Sequence, residues 1–354
     1  MSFESNKSAI FLEQLSLFTQ DSYCKEYIDK QNLYTSAKDI ERAAKISAAC
    51  FRQAKEYLTA SQHITLATKP LLIAYAQNNF IKGTAYLKRN DLSSHFERHG
   101  LQLKEENIAD NFIDSKIIKQ FGVTTAIEHL LGLGHISNSS PMSIGEMLSL
   151  IPTVSRYYCD IYSKAPRVFE AHRGSRHGYI TYSVKINDGL DPDELAKEYE
   201  ALTLVGLPLE YSPYGKRFII RGVEGLIAKT PEQVQRLIAT DDFFITPIIV
   251  NAQLYWMPPL YTSYLLMLTY SMLVRYHAEK WFGFIDPQKS TSYTIIDIST
   301  KYALEIFVDG IHALLFDVDP LDHYNRQSSN EFVHMLMKHK HLIAGMVKEE
   351  MRFF

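Results

Sequence analysis

Residues 37–87 read AKDIERAAKISAACFRQAKEYLTASQHITLATKPLLIAYAQNNFIKGTAYL and carry the strongest helical pattern in the chain. Apolar or small residues recur every three or four positions in two segments, which is the spacing of one face of an α-helix. Pro70 falls in the first turn of the second segment, where its missing N–H costs nothing. The stretch therefore predicts a helical hairpin. Its core-facing residues are Ile40, Ala43, Ala44, Ser47, Phe51, Ala54, Tyr57 and Leu58, then Leu71, Leu72, Tyr75, Phe80, Ala85 and Tyr86.

The helical pattern continues to about residue 165. Ser143 and Glu146 have the spacing of a capping box, in which the serine side chain caps a helix that the glutamate caps in return. A further short helix is expected over residues 153–163, after Pro152. These signals predict a mainly helical N-terminal part.

The pattern changes after Pro166. Residues 179–186 and 217–221 mix β-branched and aromatic residues, and the first of these runs alternates with period two, so both are predicted as strands. Residues 191–202 and a segment beginning at Thr230 carry helix-start signals. Residues 166–250 are therefore expected to form a small α+β insertion.

Long helical periods return from Leu260 onward, over residues 260–282, 297–315 and 328–354. Residues 243–274 carry no formal charge, but prolines interrupt them, and the 15 residues that follow Pro259 are fewer than the roughly 20 that span a bilayer. We expect a buried central helix and no membrane contact.

These signals together predict a mainly α-helical α+β protein. We expect a helical bundle over residues 1–165, the insertion over 166–250, and C-terminal helices over 251–354 that pack back onto the bundle.

Composition limits the class of protein. Hydrophobic residues make up 46% of the 354 and charged residues 22%, which excludes a disordered chain. The 37 Lys and Arg against 40 Asp and Glu give a net charge of −3, so the chain lacks the overall basic excess of a dedicated nucleic-acid binder. Cys24, Cys50 and Cys159 lie far apart, which suits a reducing cytoplasm, and residues 1–16 do not resemble a secretory signal.

The most suggestive short pattern is Arg89-Asn90-Asp91-Leu92-Ser93-Ser94-His95, followed closely by His99. Metal-independent RNA cleavage needs an imidazole that moves protons and a cation that holds the phosphate, and an arginine with a histidine supplies both. Arg89, His95 and His99 are therefore the candidate catalytic residues. The alternative is a solvated helix end followed by a capped turn.

Further basic residues could contact phosphate groups. Arg98 adds to the charge of the His95–His99 segment, and a second basic stretch with glycines at 174 and 178 precedes the first predicted strand. We expect this stretch to be a glycine-containing turn, with an ordinary solvated loop as the alternative. Its candidate phosphate ligands are Arg167, His172, Arg173, Arg176 and His177.

The end of the long apolar helix carries a last cluster. Arg275 and Glu279 stand one helical turn apart, where they could pair, with Trp281 packed beneath. The alternative is a buried arginine gathered into a pocket. No P-loop, zinc or dinucleotide-binding motif is present, so neither a metal nor a cofactor is expected.

Several blocks resemble the bacterial YaaC-like family, and they occur in the expected order. The blocks are Phe51-Arg52-Gln53-Ala54 with Tyr57, Lys69-Pro70-Leu71-Leu72 with Tyr75, Asn79 and Lys82, His99-Gly100, and Arg275-Tyr276 with Glu279 and Trp281. The resemblance implies an architecture and a bacterial cytoplasmic origin. It marks Lys69, Asn79, Lys82, Arg275, Tyr276, Glu279 and Trp281 as structural or pocket residues.

The helical N-terminal half also resembles HEPN domains, whose nucleases use an Arg-x(4–6)-His motif. Arg89, Asn90 and His95 fit that motif, although Asp91 and the serines after it predict a loop where the family has a helix. The resemblance implies a metal-independent ribonuclease whose cleft is shared by two protomers.

We therefore expect a nucleotide- or RNA-phosphate-binding protein of a bacterial stress or phage-defence module. The more specific hypothesis is a metal-independent HEPN-type ribonuclease. The alternative is a non-catalytic interaction subunit that binds a protein partner in a multiprotein complex.

Overall fold

A computed structural model of the chain describes residues 6–89, 91–133, 141–164, 167–176, 179–185, 209–212, 217–223, 243–245, 248–250, 253–255 and 257–316. The helices predicted over 191–202, from Thr230 and from Ser328 lie outside these residues, as do Asn90 and His177. The described helices are α1 (Asn6–Leu15), α2 (Asp21–Gln31), α3 (Ala37–Gln62), α4 (Lys69–Lys88), α5 (Val123–Leu131), α6 (Ile144–Ser149), α7 (Pro152–Tyr162), α8 (Pro259–Tyr276), α9 (Ala278–Phe284) and α10 (Ser292–Phe316).

The predicted helical hairpin is confirmed as α3 and α4. Ser36 caps α3 by accepting a hydrogen bond from the Asp39 backbone N–H at 3.3 Å. The hairpin closes tightly where α4 has Gly83, because a Cβ at that position would lie 2.6 Å from the Phe51 ring. Phe51 also packs edge-on against Phe80, with 5.5 Å between ring centroids.

Two short helices follow in the N-terminal part, as the sequence predicts. The capping box is confirmed at the start of α6: the Glu146 backbone N–H donates to Ser143 Oγ at 3.1 Å, and the Ser143 N–H donates to the Glu146 carboxylate at 2.7 Å. Pro152 begins α7.

A small antiparallel sheet, absent from our sequence prediction, lies within the N-terminal part. It consists of β1 (Leu101–Gln102), β2 (Lys116–Lys119) and β3 (Pro141–Ser143), with β2 in the centre. Strands of two to four residues are too short to show a period-two pattern.

The strands predicted after Pro166 belong to a second antiparallel sheet, ordered β6-β7-β5-β4-β8 among the described strands. A separate pair is formed by β9 and β10. The two predicted strands are confirmed as β5 and β7, which pair along their whole length. The bounds are β4 (Val168–Arg176), β5 (Tyr179–Lys185), β6 (Leu209–Ser212), β7 (Arg217–Val223), β8 (Phe243–Ile245), β9 (Ile248–Val250) and β10 (Gln253–Tyr255).

The apolar helix α8 is the centre of the core, as predicted. Every residue from Leu260 to Ser271 is buried. Its three buried tyrosines donate to or pair with polar groups on three different helices, because a buried hydroxyl needs a partner. These contacts are Tyr261 to Glu128 on α5, Tyr264 to Asn78 on α4, and Tyr270 with Ser299 on α10.

The C-terminal helices differ from the prediction at one point. The segment expected to be helical over 260–282 ends at Tyr276 and resumes at Ala278, because His277 has φ −136° and ψ 50°. Trp281 on α9 is buried and its indole N–H donates to the Ala67 carbonyl at 2.9 Å. The structure confirms the mainly helical α+β class.

Candidate functional site

One exposed face of α4 carries polar and aromatic side chains. Tyr75, Asn79, Lys82 and Tyr86 follow one another at intervals of four, three and four residues, so they share one face of the helix. All four are partly buried. This face contacts the end of α8 and the segment around Phe96.

Arg275, in the last turn of α8, lies against this face. Its Cζ atom is 5.8 Å from the centroid of the Tyr75 ring and 4.8 Å from that of the Tyr276 ring. Its Nε donates to the Ser271 carbonyl at 3.3 Å. No ion pair engages this guanidinium in the part of the chain that the structure describes. Aromatic rings orient it and leave its charge uncompensated.

His99 lies close enough to Arg275 to feel its charge. The His99 pKa lies below its usual value, first because partial burial disfavours the charged imidazole and second because of the positive charge of Arg275. The imidazole is therefore less readily protonated than that of an unperturbed histidine, and a bound anion would favour its protonation.

The backbone on both sides of His99 is fixed. The Val123 N–H donates to the Arg98 carbonyl at 3.0 Å, and the Gln120 N–H donates to the Gly100 carbonyl at 2.8 Å. Gly100 has φ +80° and Gly122 has φ +154°, values that suit glycine. The two chain segments cross here, with the backbones of the two glycines in contact.

Lys82 joins the same surface through Phe96. The Lys82 Nζ lies 5.9 Å from the centroid of the Phe96 ring, and that ring packs on Tyr86 with 5.9 Å between centroids. We call this the Arg275 surface, and it consists of Tyr75, Asn79, Lys82, His99, Arg275 and Tyr276. Such a surface offers two permanent cations, one titratable imidazole and aromatic faces, which suit a phosphate attached to a ring.

The predicted catalytic residues divide between two places. Arg89 caps the end of α4 and forms a two-point ion pair with Asp91, at 3.0 Å from Nε and 2.8 Å from Nη2. His95 sits in a 3-10 turn, Ser93–Glu97, and its ring lies 4.6 Å from that of Phe121. Among the described residues no hydrogen bond, ion pair or ring contact joins Arg89, His95 and His99 directly.

A second histidine beside His95 escaped the sequence analysis. The rings of His95 and His129 are 5.5 Å apart and nearly perpendicular, at 81°. The Arg89 guanidinium holds the pKa of Asp91 below its usual range, and the nearby His129 lowers it slightly further. His129 lies in the last turn of α5, where no motif marks it; only the fold brings it to His95.

The basic stretch before the sheet is a strand, and our prediction of a glycine-containing turn there was wrong. Val168–Arg176 forms β4, of which residues 171–176 pair in unbroken register with β5. Alternation along a strand places positions 173 and 176 on opposite faces. For His172, Arg173 and Arg176 the structure describes the backbone only. Arg167 precedes β4 and its N–H donates to the Ser149 carbonyl at 3.2 Å.

The expected pairing of Arg275 with Glu279 was also wrong. The break at His277 ends α8 between them, so the two residues do not share a helical face. Glu279 is exposed in the first turn of α9. Trp281 packs against Tyr270 in the core, with 5.8 Å between ring centroids. Lys69, at the start of α4, is partly buried.

Two kinds of feature are absent from the described residues. None of the helices there is both long enough and apolar enough to cross a membrane. No group of three or more His, Cys, Asp or Glu in the same residues has an arrangement that could hold a metal ion.

Comparison with known proteins identifies the family. The model of the YaaC-like protein family matches residues 13–315 of the chain. The chain belongs to the YaaC-like family. No curated protein and no solved structure gave a significant match.

The YaaC-like match covers the whole of the Arg275 surface and all the sequence blocks that carry the resemblance. The blocks that contain Tyr75, Asn79 and Lys82, His99, and Arg275 with Tyr276 are far apart in sequence, and the fold brings them to one surface. The likeness of the N-terminal helices to HEPN domains stays a hypothesis.

Proposed function

We propose that this YaaC-like protein binds a phosphate-bearing ligand, a nucleotide or a segment of RNA, on the Arg275 surface. The observation that carries the proposal is the guanidinium of Arg275, whose Cζ lies 5.8 Å from the Tyr75 ring centroid and 4.8 Å from that of Tyr276. It is near enough to His99 to lower the pKa of that imidazole, and it has no carboxylate partner in the described residues. A guanidinium in this position can donate two parallel hydrogen bonds to a phosphate.

The other groups of the surface fit the same ligand. Lys82 supplies a second positive charge on the exposed face of α4, one turn beyond Asn79. His99 would gain a proton as the phosphate offsets the charge of Arg275, and would then donate to it. Tyr276 is 63% exposed and offers a ring on which a base can stack. The net charge of −3 is no obstacle, since the cations are local.

The experiment is a binding titration of fluorescently labelled single-stranded RNA, with ATP as an unlabelled competitor, followed by anisotropy. Arg275→Gln should weaken binding about tenfold or more, because a charge-assisted hydrogen bond contributes about 1.5–3 kcal/mol. It should also flatten the salt dependence, because fewer counterions are released. Arg156→Gln, an exposed arginine on α7, is the matched control. Equal binding by both variants would contradict the proposal.

The bound RNA could also be a substrate, and the proposed catalytic residues of such a ribonuclease are Arg89 and His95. The Arg89–Asp91 pair is solvent-accessible, with the two side chains 39% and 55% exposed. Exposed ion pairs contribute at most about 1 kcal/mol, so the guanidinium can exchange the carboxylate for an RNA phosphate at little cost. Replacing either Arg89 or His95 by Ala should then abolish cleavage of RNA in EDTA.

An interaction subunit is the second candidate, and one observation favours it. Tyr276 and Phe282 at the α8–α9 corner are 63% and 58% exposed, and large exposed aromatic side chains are enriched in protein interfaces. If this corner binds a second copy of the chain, Phe282→Asp should convert a dimer into a monomer in analytical ultracentrifugation. A wild-type protein that is monomeric at every concentration would exclude the homodimer.

A further inference from the structure

We infer that His95 and His129 form a proton-transfer pair for metal-independent cleavage of single-stranded RNA, with Phe121 as the ring on which a base next to the cleaved bond stacks. The inference rests on the proposed function, since it requires RNA as a ligand. It adds a second imidazole and a base platform that no sequence motif indicates.

The placement of the two imidazoles is the first step. His95 is held in its turn by the bond from its backbone N–H to the Leu92 carbonyl at 3.1 Å, and His129 lies on α5. The segment that carries His95 is tied to the start of α5 by the bond from the Val123 N–H to the Arg98 carbonyl. Backbone hydrogen bonds therefore hold the two segments together, and the rings lie 5.5 Å apart.

The surroundings of the pair supply what the reaction needs besides protons. Phe121 is 46% exposed and its ring is 4.6 Å from that of His95, so a base stacked on its open side would bring the adjoining phosphate near the imidazoles. Asp91 is close enough to His129 for their charges to interact, and it forms the ion pair with the Arg89 guanidinium. One cation, two imidazoles and one stacking ring thus occupy neighbouring positions.

The chemistry balances without a metal ion or any other co-reactant. One imidazole takes the proton of the ribose 2′-hydroxyl as the 2′-oxygen attacks phosphorus, and the protonated partner gives a proton to the 5′-oxygen as the P–O5′ bond breaks. The products are a 2′,3′-cyclic phosphate and a free 5′-hydroxyl. Arg89 would stabilise the extra charge on the phosphoryl oxygens. DNA, which lacks the 2′-hydroxyl, cannot react in this way.

The test uses the full chain with a 5′-labelled single-stranded RNA in EDTA, and the same RNA with 2′-O-methyl groups as the inert analogue. We expect cleavage of the first RNA only, with cyclic phosphate ends and a bell-shaped dependence of rate on pH. His95→Gln and His129→Gln should each lower the rate 100-fold or more while the thermal unfolding midpoint stays near that of the wild type. His63→Gln, an exposed histidine at the end of α3, should cleave normally.

Binding measured by anisotropy on the same variants separates this inference from the proposed function. Both histidine variants should bind RNA as the wild type does, whereas Arg275→Gln should not. RNA that is bound but never cleaved would overturn the histidine pair and leave the binding proposal standing. Cleavage that survives either histidine substitution in a folded variant would also overturn it.

Discussion

Replacing Gly122 by Ala should destabilise the protein and displace His99. Gly122 has φ +154°, and a Cβ added to it would lie 2.5 Å from the Arg98 carbonyl oxygen and 2.5 Å from the Gly100 nitrogen. Both separations fall well inside the 3.4 Å at which ordinary contact begins, and both neighbours are backbone atoms that cannot rotate away. The crossing of the two chain segments must therefore open.

Opening the crossing breaks two backbone hydrogen bonds, those from Val123 to Arg98 and from Gln120 to Gly100. Each contributes about 1 kcal/mol net, and the strained backbone adds about 1–3 kcal/mol, so the loss is on the order of 3–5 kcal/mol. Because these two bonds flank His99, affinity for RNA should fall together with stability.

The assay is urea unfolding followed by circular dichroism, with Gly283→Ala as the control. Nothing lies within 4 Å of a Cβ added at Gly283, which is exposed on α9, so that variant should be as stable as the wild type or gain up to about 1 kcal/mol. A Gly122→Ala protein as stable as the Gly283→Ala control would refute the idea that the crossing is rigid.

Three further results are expected. Glu128→Gln should cost about 3–5 kcal/mol in denaturant unfolding, because it leaves the buried Lys119 ammonium, 2.7 Å away, without its carboxylate; a loss under about 1 kcal/mol would contradict this. By NMR the pKa of the His99 imidazole should lie below 6.5, and Arg275→Gln should raise it. Because the unfolded chain binds this proton more readily than the folded protein, His99 should lower the stability as pH falls through 6.5. Burial raises the pKa of Cys24 to about 12, so iodoacetamide should label it only after denaturation, whereas labelling of the native protein at pH 8 would show an open core.

Helices were predictable from sequence where periodicity and end signals agreed. The α3–α4 hairpin combines helical spacing with Pro70, and α8 begins at Pro259 and carries no formal charge before Arg275. In both cases the local preference and the burial in the core favour the same structure.

The errors came from structure that local patterns do not encode. The break at His277 falls inside a continuous helical pattern, because the chain turns there to bury Trp281, and that is a tertiary effect. The basic stretch that forms β4 has glycine and charged residues, which local preference assigns to a turn, but pairing with β5 on one side and β8 on the other holds it extended.

The candidate site was predictable residue by residue but not as an arrangement. Asn79, Lys82, His99 and Arg275 all stood out in the sequence, yet nothing there placed the end of α8 against α4. That placement depends on the buried tyrosine contacts of α8, such as Tyr264 with Asn78, and long-range contacts of this kind leave no local pattern.

Binding of a phosphate at the Arg275 surface can be followed at His99 itself. The measurement is an NMR titration of the His99 imidazole over pH, with and without saturating single-stranded RNA. Because the bound phosphate offsets the charge of Arg275, RNA should raise the His99 pKa, and Arg275→Gln should abolish the rise. A His99 pKa that stays the same while RNA is bound would contradict the proposal.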